Sequence, residues 1–156
     1  MLYWIFDLDY TLYDLPMDVG FNYKLLHEDT QLNYLLKMLP FKKYIFTNGT
    51  FSHGLICLDK MNILNNFEKI IARDTINDLK PNFSSFKKFI NLANIKNKDK
   101  CVFFEDSVDN LIQAKNFGWI TVLITKENVI NENIDFQFSN IHVALNYFLS
   151  KINKNK

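Results

Sequence analysis

Cysteine is scarce in this 156-residue chain, which contains only Cys57 and Cys101. Neither lies in a spacing typical of metal-binding or redox motifs, so both are expected to be reduced core residues. The chain also lacks the run of about 18 apolar residues that a membrane-spanning helix requires. A strand pattern begins within two residues of Met1 and leaves no room for a signal peptide. We therefore expect a cytoplasmic protein that makes no contact with membranes.

An excess of charge of one sign is absent as well. The formal net charge is +1, so no strong field draws the chain to nucleic acid, and the run 94–100 is predicted to be a solvated loop. A phosphorylated substrate remains compatible with this charge, because it needs only a local site. Apolar residues make up 48% and charged residues 22% of the sequence, the balance of an ordinary globular domain.

Short apolar runs alternate with amphipathic stretches along most of the chain. The runs predict strands at 2–6, 43–46, 69–72, 101–104, 119–124 and 136–138. The stretches predict helices at 25–39, from Ser52, from Asn82 or Ser84, at 108–117 and at 141–149. This order predicts an α/β, three-layer αβα Rossmann-like fold with a central parallel sheet of five to six strands. We expect one domain over 1–150, a small flap or turn at 12–23, and a disordered tail at 151–156.

Two carboxylates, Asp7 and Asp9, directly follow the first predicted strand. In a parallel sheet such residues lie at the carboxyl edge, where ligands bind. Two acids this close repel each other unless a cation lies between them, and Mg²⁺ suits such hard oxygen ligands. A plain turn or helix cap formed by the two acids is the alternative.

The next two strands are followed by neutral and basic residues. Thr47, Asn48 and Gly49 offer a hydroxyl and backbone N–H groups that can hold phosphate oxygens, although a simple strand-to-helix turn has the same composition. Lys80, directly before Pro81, offers a point charge at a helix entrance, although most lysines are only solvated.

The fourth strand ends in a second acidic cluster, Glu105 and Asp106. Asp106 lies at the predicted sheet edge and is the natural third metal ligand, whereas Asp109 can simply complement the helix dipole. Four consecutive strands thus end in an acid pair, a hydroxyl with glycine, a lysine and an acid cluster. Together they can supply a nucleophile, a metal site, a phosphate cradle and a counter-charge.

This order of motifs resembles the haloacid dehalogenase superfamily. The resemblance extends from residue 2 to about residue 126 and rests on Asp7-x-Asp9-x-Thr11, Thr47, Lys80 and Glu105-Asp106. The segments 6–13, 46–49 with a histidine at 53, 80–81 and 103–107 are further similar to the pyrimidine 5′-nucleotidase branch.

The resemblance implies a role for each residue of the first and last motifs. Asp7 is the nucleophile and a ligand of Mg²⁺, and Asp9 is the acid and base whose backbone carbonyl also touches the metal. Thr11 fixes the loop. Asp106 completes the metal site, with Glu105 acting through water or from outside the ligand set.

The middle motifs bind the phosphoryl group in this scheme. Thr47 with the N–H groups of Asn48 and Gly49 orients its oxygens, and Lys80 neutralises its charge. Two further residues are ambiguous. His53 either faces the site or packs at a helix start, and Asn110 stands where many members have a second acid.

Family members usually carry a substrate-selecting cap domain between the first two motifs, which are separated here by only about three dozen residues. We expect a minimal cap or none, with the aromatic residues of the flap lining the entrance, namely Tyr10, Tyr13, Phe21 and Tyr23. An open site of this kind is covered either by a large substrate or by another subunit, so both a monomer and a homo-oligomer are compatible.

The expected function is that of a Mg²⁺-dependent phosphomonoester hydrolase acting on nucleoside monophosphates or other small phosphate esters. The alternatives are a phosphatase of phosphoproteins or nucleic-acid ends, and a non-catalytic phosphate-binding module. A dehalogenase is disfavoured, because its chemistry needs neither a metal nor Asp9.

Overall fold

The computed structural model describes residues 1–15 and 22–154, which form one sheet covered by helices on both faces. The six strands are all parallel and lie in the order β3-β2-β1-β4-β5-β6. Their bounds are β1 Leu2–Phe6, β2 Lys42–Thr47, β3 Lys69–Ala72, β4 Lys100–Glu105, β5 Ile120–Ile124 and β6 Phe136–Phe138. The predicted α/β fold with a parallel sheet is confirmed.

The helices follow the strands in crossover connections. Their bounds are α1 Thr30–Met38, α2 Phe51–Lys60, α3 Arg73–Ile76, α4 Phe83–Leu92, α5 Val108–Asn116 and α6 Ile141–Lys154. Two single-turn 3₁₀ helices occur at Tyr23–Leu25 and Leu64–Asn66. Among the described residues, no helix combines the length and the apolar character that crossing a bilayer would require.

The strands are mainly apolar because each face of the sheet packs against its own hydrophobic core. In β1, Trp4 and Phe6 belong to the core under α1, α2 and α6, whereas Tyr3 and Ile5 belong to the core under α4 and α5. The two sets alternate because successive side chains of a strand point to opposite faces. Phe6 stacks on Phe104 of the neighbouring strand β4, with 4.7 Å between ring centroids.

Helix boundaries differ from the predicted ones where capping depends on local backbone geometry. Helix α2 begins one residue before Ser52, since Thr50 adopts the extended conformation of an N-cap and accepts a hydrogen bond from the His53 amide at 3.2 Å. The first helix begins only at Thr30, because Asp29 caps it by accepting from the Leu32 amide at 2.8 Å. Gly118, just beyond the end of α5, has φ +74°, a left-handed conformation that commonly ends helices.

The C-terminal helix is longer than predicted. Helix α6 continues to Lys154, so the disordered tail expected from residue 151 is wrong for residues 151–154. The physical reason is that Ile152 packs against the same core as Phe148 and Leu149, which extends the apolar face of the helix by one turn. Residues 155 and 156 of the expected tail lie outside the described residues.

We predict that Phe104→Ala lowers the free energy of unfolding by about 3–5 kcal/mol, because the ring is fully buried and its loss leaves a cavity. Urea denaturation measures this change. The matched control is Tyr34→Ala on α1, whose ring is 62% exposed and whose loss should cost no more than about 0.5 kcal/mol. Equal effects of the two substitutions would contradict the assignment of the core.

Candidate active site

The site lies at the carboxyl ends of the central strands. Parallel pairing sets Phe6 beside Ile45 of β2 and Phe104 of β4, and the Asp7 amide continues the ladder by donating to the Phe104 carbonyl at 2.9 Å. The residues just beyond these strands are therefore brought to one edge of the sheet. That edge carries all four groups of polar residues predicted from the sequence.

Lys80 is the buried centre of the site and is only 4% exposed. Its Nζ donates to Asp7 Oδ1 at 3.0 Å, to Glu105 Oε2 at 2.7 Å and to the Phe46 carbonyl at 2.6 Å. It also lies 5.0 Å from the centroid of the Phe46 ring and 5.2 Å from that of Phe103. Burial lowers the pKa of Lys80, but the two carboxylates outweigh it and leave that pKa raised. The lysine is therefore a permanent cation.

Asn48 holds the backbone of Lys80 in place. Its side-chain Oδ1 accepts from the Lys80 amide at 2.8 Å, and its Nδ2 donates to the Lys80 carbonyl at 2.9 Å. The sequence predicted only that the backbone N–H of Asn48 binds phosphate. In the structure its side chain also joins the end of β2 to the loop after α3.

Glu105 is saturated with hydrogen bonds. Its Oε1 accepts from the amides of Asp106 at 3.0 Å and Ser107 at 3.2 Å, while its Oε2 accepts from Asn110 Nδ2 at 3.0 Å as well as from Lys80. Burial, and then the charge of Asp7, raises the pKa of Glu105, and the ammonium of Lys80 opposes that rise. Asn110 therefore acts on Glu105 in this structure.

Three carboxylates form a cluster that suits a hard divalent cation. Oxygen atoms of Asp7, Glu105 and Asp106 lie within 4.8 Å of one another. Thr11 Oγ1 lies between two of them, 3.1 Å from Asp7 Oδ2 and 3.3 Å from Asp106 Oδ1. Burial raises the pKa of Asp106 to about 6, and the negative charge of Asp7 adds to this rise, whereas the hydrogen bond with Glu105 opposes it. An all-oxygen donor set of this kind fits Mg²⁺.

The three carboxylates of this cluster differ in how readily they could bind a metal ion. Since each oxygen of Glu105 already accepts two hydrogen bonds, Asp7 and Asp106 are the better ligands. Among the described residues, the cluster does not include the Asp9 carboxylate. The metal contact expected of Asp9 involves its backbone carbonyl and remains a prediction.

The Asp9 carboxylate instead belongs to a separate hydrogen-bonded group. Its Oδ1 accepts from the Tyr13 hydroxyl and lies 2.8 Å from His53 Nε2, and the other ring nitrogen of His53 lies 2.8 Å from the Tyr23 hydroxyl. His53 thus faces the site as well as following the cap of α2. Sequence reasoning named Tyr13 and Tyr23 as entrance residues but missed these contacts.

Two further aromatic residues, Tyr10 and Phe21, were predicted to line the entrance. Tyr10 directly follows Asp9, is 40% exposed and adopts a positive φ of 62°. Phe21 lies outside the described residues.

The loop after β2 is packed tightly. Thr47 is buried, and its Oγ1 accepts from the Gly49 amide at 3.0 Å, so this amide, which the sequence assigned to phosphate, is held by Thr47 in the structure. A Cβ at position 49 would come within 3.0 Å of His53 Cδ2 and 3.3 Å of Thr47 Oγ1. Glycine suits this position, because a side chain would require His53 or Thr47 to shift by a few tenths of an ångström.

The three-layer fold with an acidic site at the strand ends defines a Rossmann-like α/β protein. Residues 22–124 match the family model of haloacid dehalogenase-like hydrolases, and the chain belongs to that family. The matched segment contains Thr47, Lys80, Glu105 and Asp106 and begins after Asp7.

Solved structures with the same fold include both phosphatases and dehalogenases. A HAD phosphatase from Thermococcus onnurineus is 25% identical with a TM-score of 0.61, over 80% of this chain and 57% of that one. The L-2-haloacid dehalogenase from Xanthobacter autotrophicus is 15% identical with a TM-score of 0.64, over 81% and 62%. The magnesium-bound HAD protein YfnB from Bacillus subtilis is 16% identical with a TM-score of 0.62, over 74% and 53%. The chain thus spans less than two thirds of the length of these relatives.

We predict that Lys80→Met lowers the free energy of unfolding by about 3–5 kcal/mol, because it leaves Asp7 and Glu105 buried without their cation. Chemical denaturation measures the loss. Adding Glu105→Gln should restore part of it, since one of the two unpaired charges is then removed.

The matched control for this prediction is Lys88→Met. Lys88 also pairs with a carboxylate, that of Asp78 at 2.9 Å, but its side chain is 45% exposed. Because the ammonium of Lys88 stays largely in contact with water, its loss should cost much less stability than the loss of Lys80. Similar losses for Lys80→Met and Lys88→Met would refute the central role of the buried ammonium.

Proposed function

We propose that this hydrolase is a Mg²⁺-dependent phosphomonoester phosphatase in which Asp7 carries the phosphoryl group as an aspartyl-phosphate. The observation that carries the proposal is the contrast between two carboxylates only two residues apart. Asp7 is buried against Lys80 and Thr11 inside the acidic cluster. The Asp9 side chain is 31% exposed and bonds to His53 and Tyr13. Different surroundings suit the two acids to different tasks.

Asp7 is suited to nucleophilic attack because its carboxylate is held at both oxygens, by Lys80 and by Thr11. In the first step a new bond forms between an Asp7 oxygen and phosphorus, and the ester oxygen leaves with a proton supplied by Asp9. In the second step Asp9 takes a proton from water, which attacks phosphorus and releases inorganic phosphate and free Asp7. Lys80 balances the negative charge of Asp7 throughout.

Asp7 and Asp106 would hold the metal, and Glu105 would orient Lys80, Asn110 and the start of α5. When bound, Mg²⁺ supplies positive charge next to the phosphoryl oxygens. Thr47 and the loop through Gly49 would line the side of the phosphate site that the metal ligands do not form.

The substrate we propose is a small phosphate ester, with nucleoside monophosphates the leading class. Between β1 and β2 the described residues contain only the turn Tyr23–Leu25 and α1, which supports a single catalytic domain over 1–150 without a large cap. The exposed ring of Tyr10 beside Asp9 offers a surface on which a base can stack. A cytoplasmic location and a monomeric or homo-oligomeric state belong to the same proposal.

Dehalogenation is less well supported, although dehalogenases are among the proteins of similar fold. A halide leaves as an anion and needs no proton. An ester oxygen is a poorer leaving group and does need one. The Asp9 carboxylate, held beside the loop after β2 by His53 and Tyr13, would have no task in dehalogenation. The three-carboxylate cluster would likewise lack a purpose.

We predict that Asp7→Asn reduces phosphate release by about 10³-fold or more, because the amide is a poor nucleophile. Release is measured from nucleoside monophosphates, sugar phosphates and an aryl phosphate, with Mg²⁺ or with EDTA, and EDTA should abolish it. Asp14→Asn is the matched control, because the Asp14 side chain is 67% exposed and pairs only with the exposed Lys126 among the described residues.

The other outcomes separate the competing functions. Cleavage of the aryl phosphate alone would favour phosphoproteins or nucleic-acid ends as substrates. Folded, Mg²⁺-binding protein that hydrolyses none of the esters would favour a phosphate-binding module. Halide release from a 2-haloacid, lost in Asp7→Asn and indifferent to EDTA, would refute the phosphatase proposal.

A further inference from the structure

The two oxygens of the Asp9 carboxylate lie in different surroundings. Oδ1 is held by the Tyr13 hydroxyl and by His53 Nε2 at 2.8 Å. Oδ2 faces the loop after β2, since a Cβ placed on Gly49 of that loop would lie 3.6 Å from Oδ2 and 3.3 Å from Thr47 Oγ1. One oxygen is therefore anchored, and the other faces the loop proposed to hold the phosphoryl group.

Hydrogen-bond chemistry determines the direction of each contact to Oδ1. A tyrosine hydroxyl keeps its proton at neutral pH, so Tyr13 donates to Oδ1. A neutral imidazole has one donor and one acceptor nitrogen. If Nε2–H donates to Oδ1, Nδ1 is left to accept from the Tyr23 hydroxyl at 2.8 Å. This arrangement gives both ring nitrogens of His53 a complementary partner.

We propose that His53 is a positioning residue, which together with Tyr13 directs the proton of Asp9 to Oδ2 and aims that oxygen at the leaving group. An oxygen that already accepts two hydrogen bonds is a poor site for a proton, so a protonated Asp9 carries it on Oδ2. This inference rests on the proposed phosphatase function and assigns the atom through which Asp9 acts.

The step balances as follows. An Asp7 oxygen bonds to phosphorus while the bond from phosphorus to the ester oxygen breaks, and the proton on Asp9 Oδ2 moves to that oxygen. The alcohol leaves, and Asp9 remains as a carboxylate held at Oδ1. Water then loses a proton to Oδ2 as its oxygen bonds to phosphorus, and the bond to Asp7 breaks. His53 and Tyr13 keep their protons throughout.

The test compares substrates that differ in their need for a proton. Phenyl phosphate has a poor leaving group and requires an acid, whereas the leaving group of 2,4-dinitrophenyl phosphate departs as a stable anion. Because kcat/KM covers the steps up to departure of the alcohol, it isolates the acid role of Asp9. His53→Ala should lower kcat/KM for phenyl phosphate about tenfold more than for the dinitrophenyl ester. This difference is smaller than the whole contribution of a general acid, because the variant still contains Asp9. His53→Gln, which keeps an N–H donor, should recover part of the difference.

The matched control is His142→Ala. His142 Nε2 pairs with Asp29 Oδ2 at the same distance of 2.8 Å and with similar exposure, but it joins α6 to the cap of α1. Its loss should leave the ratio between the two substrates unchanged. If His53→Ala lowers kcat/KM equally for both esters, or if neither changes, the proposal is overturned.

A second measurement does not depend on turnover. The ¹⁵N chemical shifts of the imidazole nitrogens, with His53 assigned by comparison with His53→Gln, should show a proton on Nε2. A ring whose Nε2 lacks a proton cannot donate to Oδ1, and that result overturns the inference even in an active phosphatase. If Nε2 is protonated but the native chain hydrolyses no ester, the proposed function itself fails and the pair is only a structural contact.

Discussion

One buried ammonium group holds the active edge of this sheet together. Lys80 Nζ bonds to the side chain of Asp7 after β1, to the side chain of Glu105 at the end of β4 and to a carbonyl of β2. These three strands are neighbours in the sheet. Removing a lysine from water is costly, and the two carboxylates Asp7 and Glu105 offset that cost. This single ammonium can balance only one of the three carboxylates Asp7, Glu105 and Asp106. The negative charge that remains favours the binding of a further cation at this edge.

The fold was largely predictable because every central strand is buried on both faces. Such strands are continuous apolar runs, and the predicted bounds of the central strand β1, 2–6, match the observed ones. The bounds of the two edge strands, 69–72 and 136–138, match as well. Helix ends were less predictable, because the choice between Thr50 and Ser52 as a cap depends on which residue adopts extended backbone. The short helix Arg73–Ile76 was missed because four residues are too few for a periodic pattern.

The gathering of polar residues at one edge followed from the rule that parallel strands end together. The contacts between those residues did not follow, because they join positions far apart in the chain. Asn48 is 32 residues from Lys80, and His53 is 44 residues from Asp9. The first pair joins the end of β2 to the loop between α3 and α4, and the second joins α2 to the chain after β1. A histidine after a strand-to-helix turn predicts neither its partner nor its orientation.

Tyr13 and Tyr23 lie on either side of a short stretch of chain, and both hydroxyls reach the Asp9–His53 pair. The two tyrosines that flank this stretch are therefore held by hydrogen bonds to the same pair of side chains. Since the entropic cost of a loop grows only slowly with its length, residues can be added between these two points without moving the fastened ends. A substrate-selecting domain could therefore be inserted between these two tyrosines while Asp9 and His53 keep their positions.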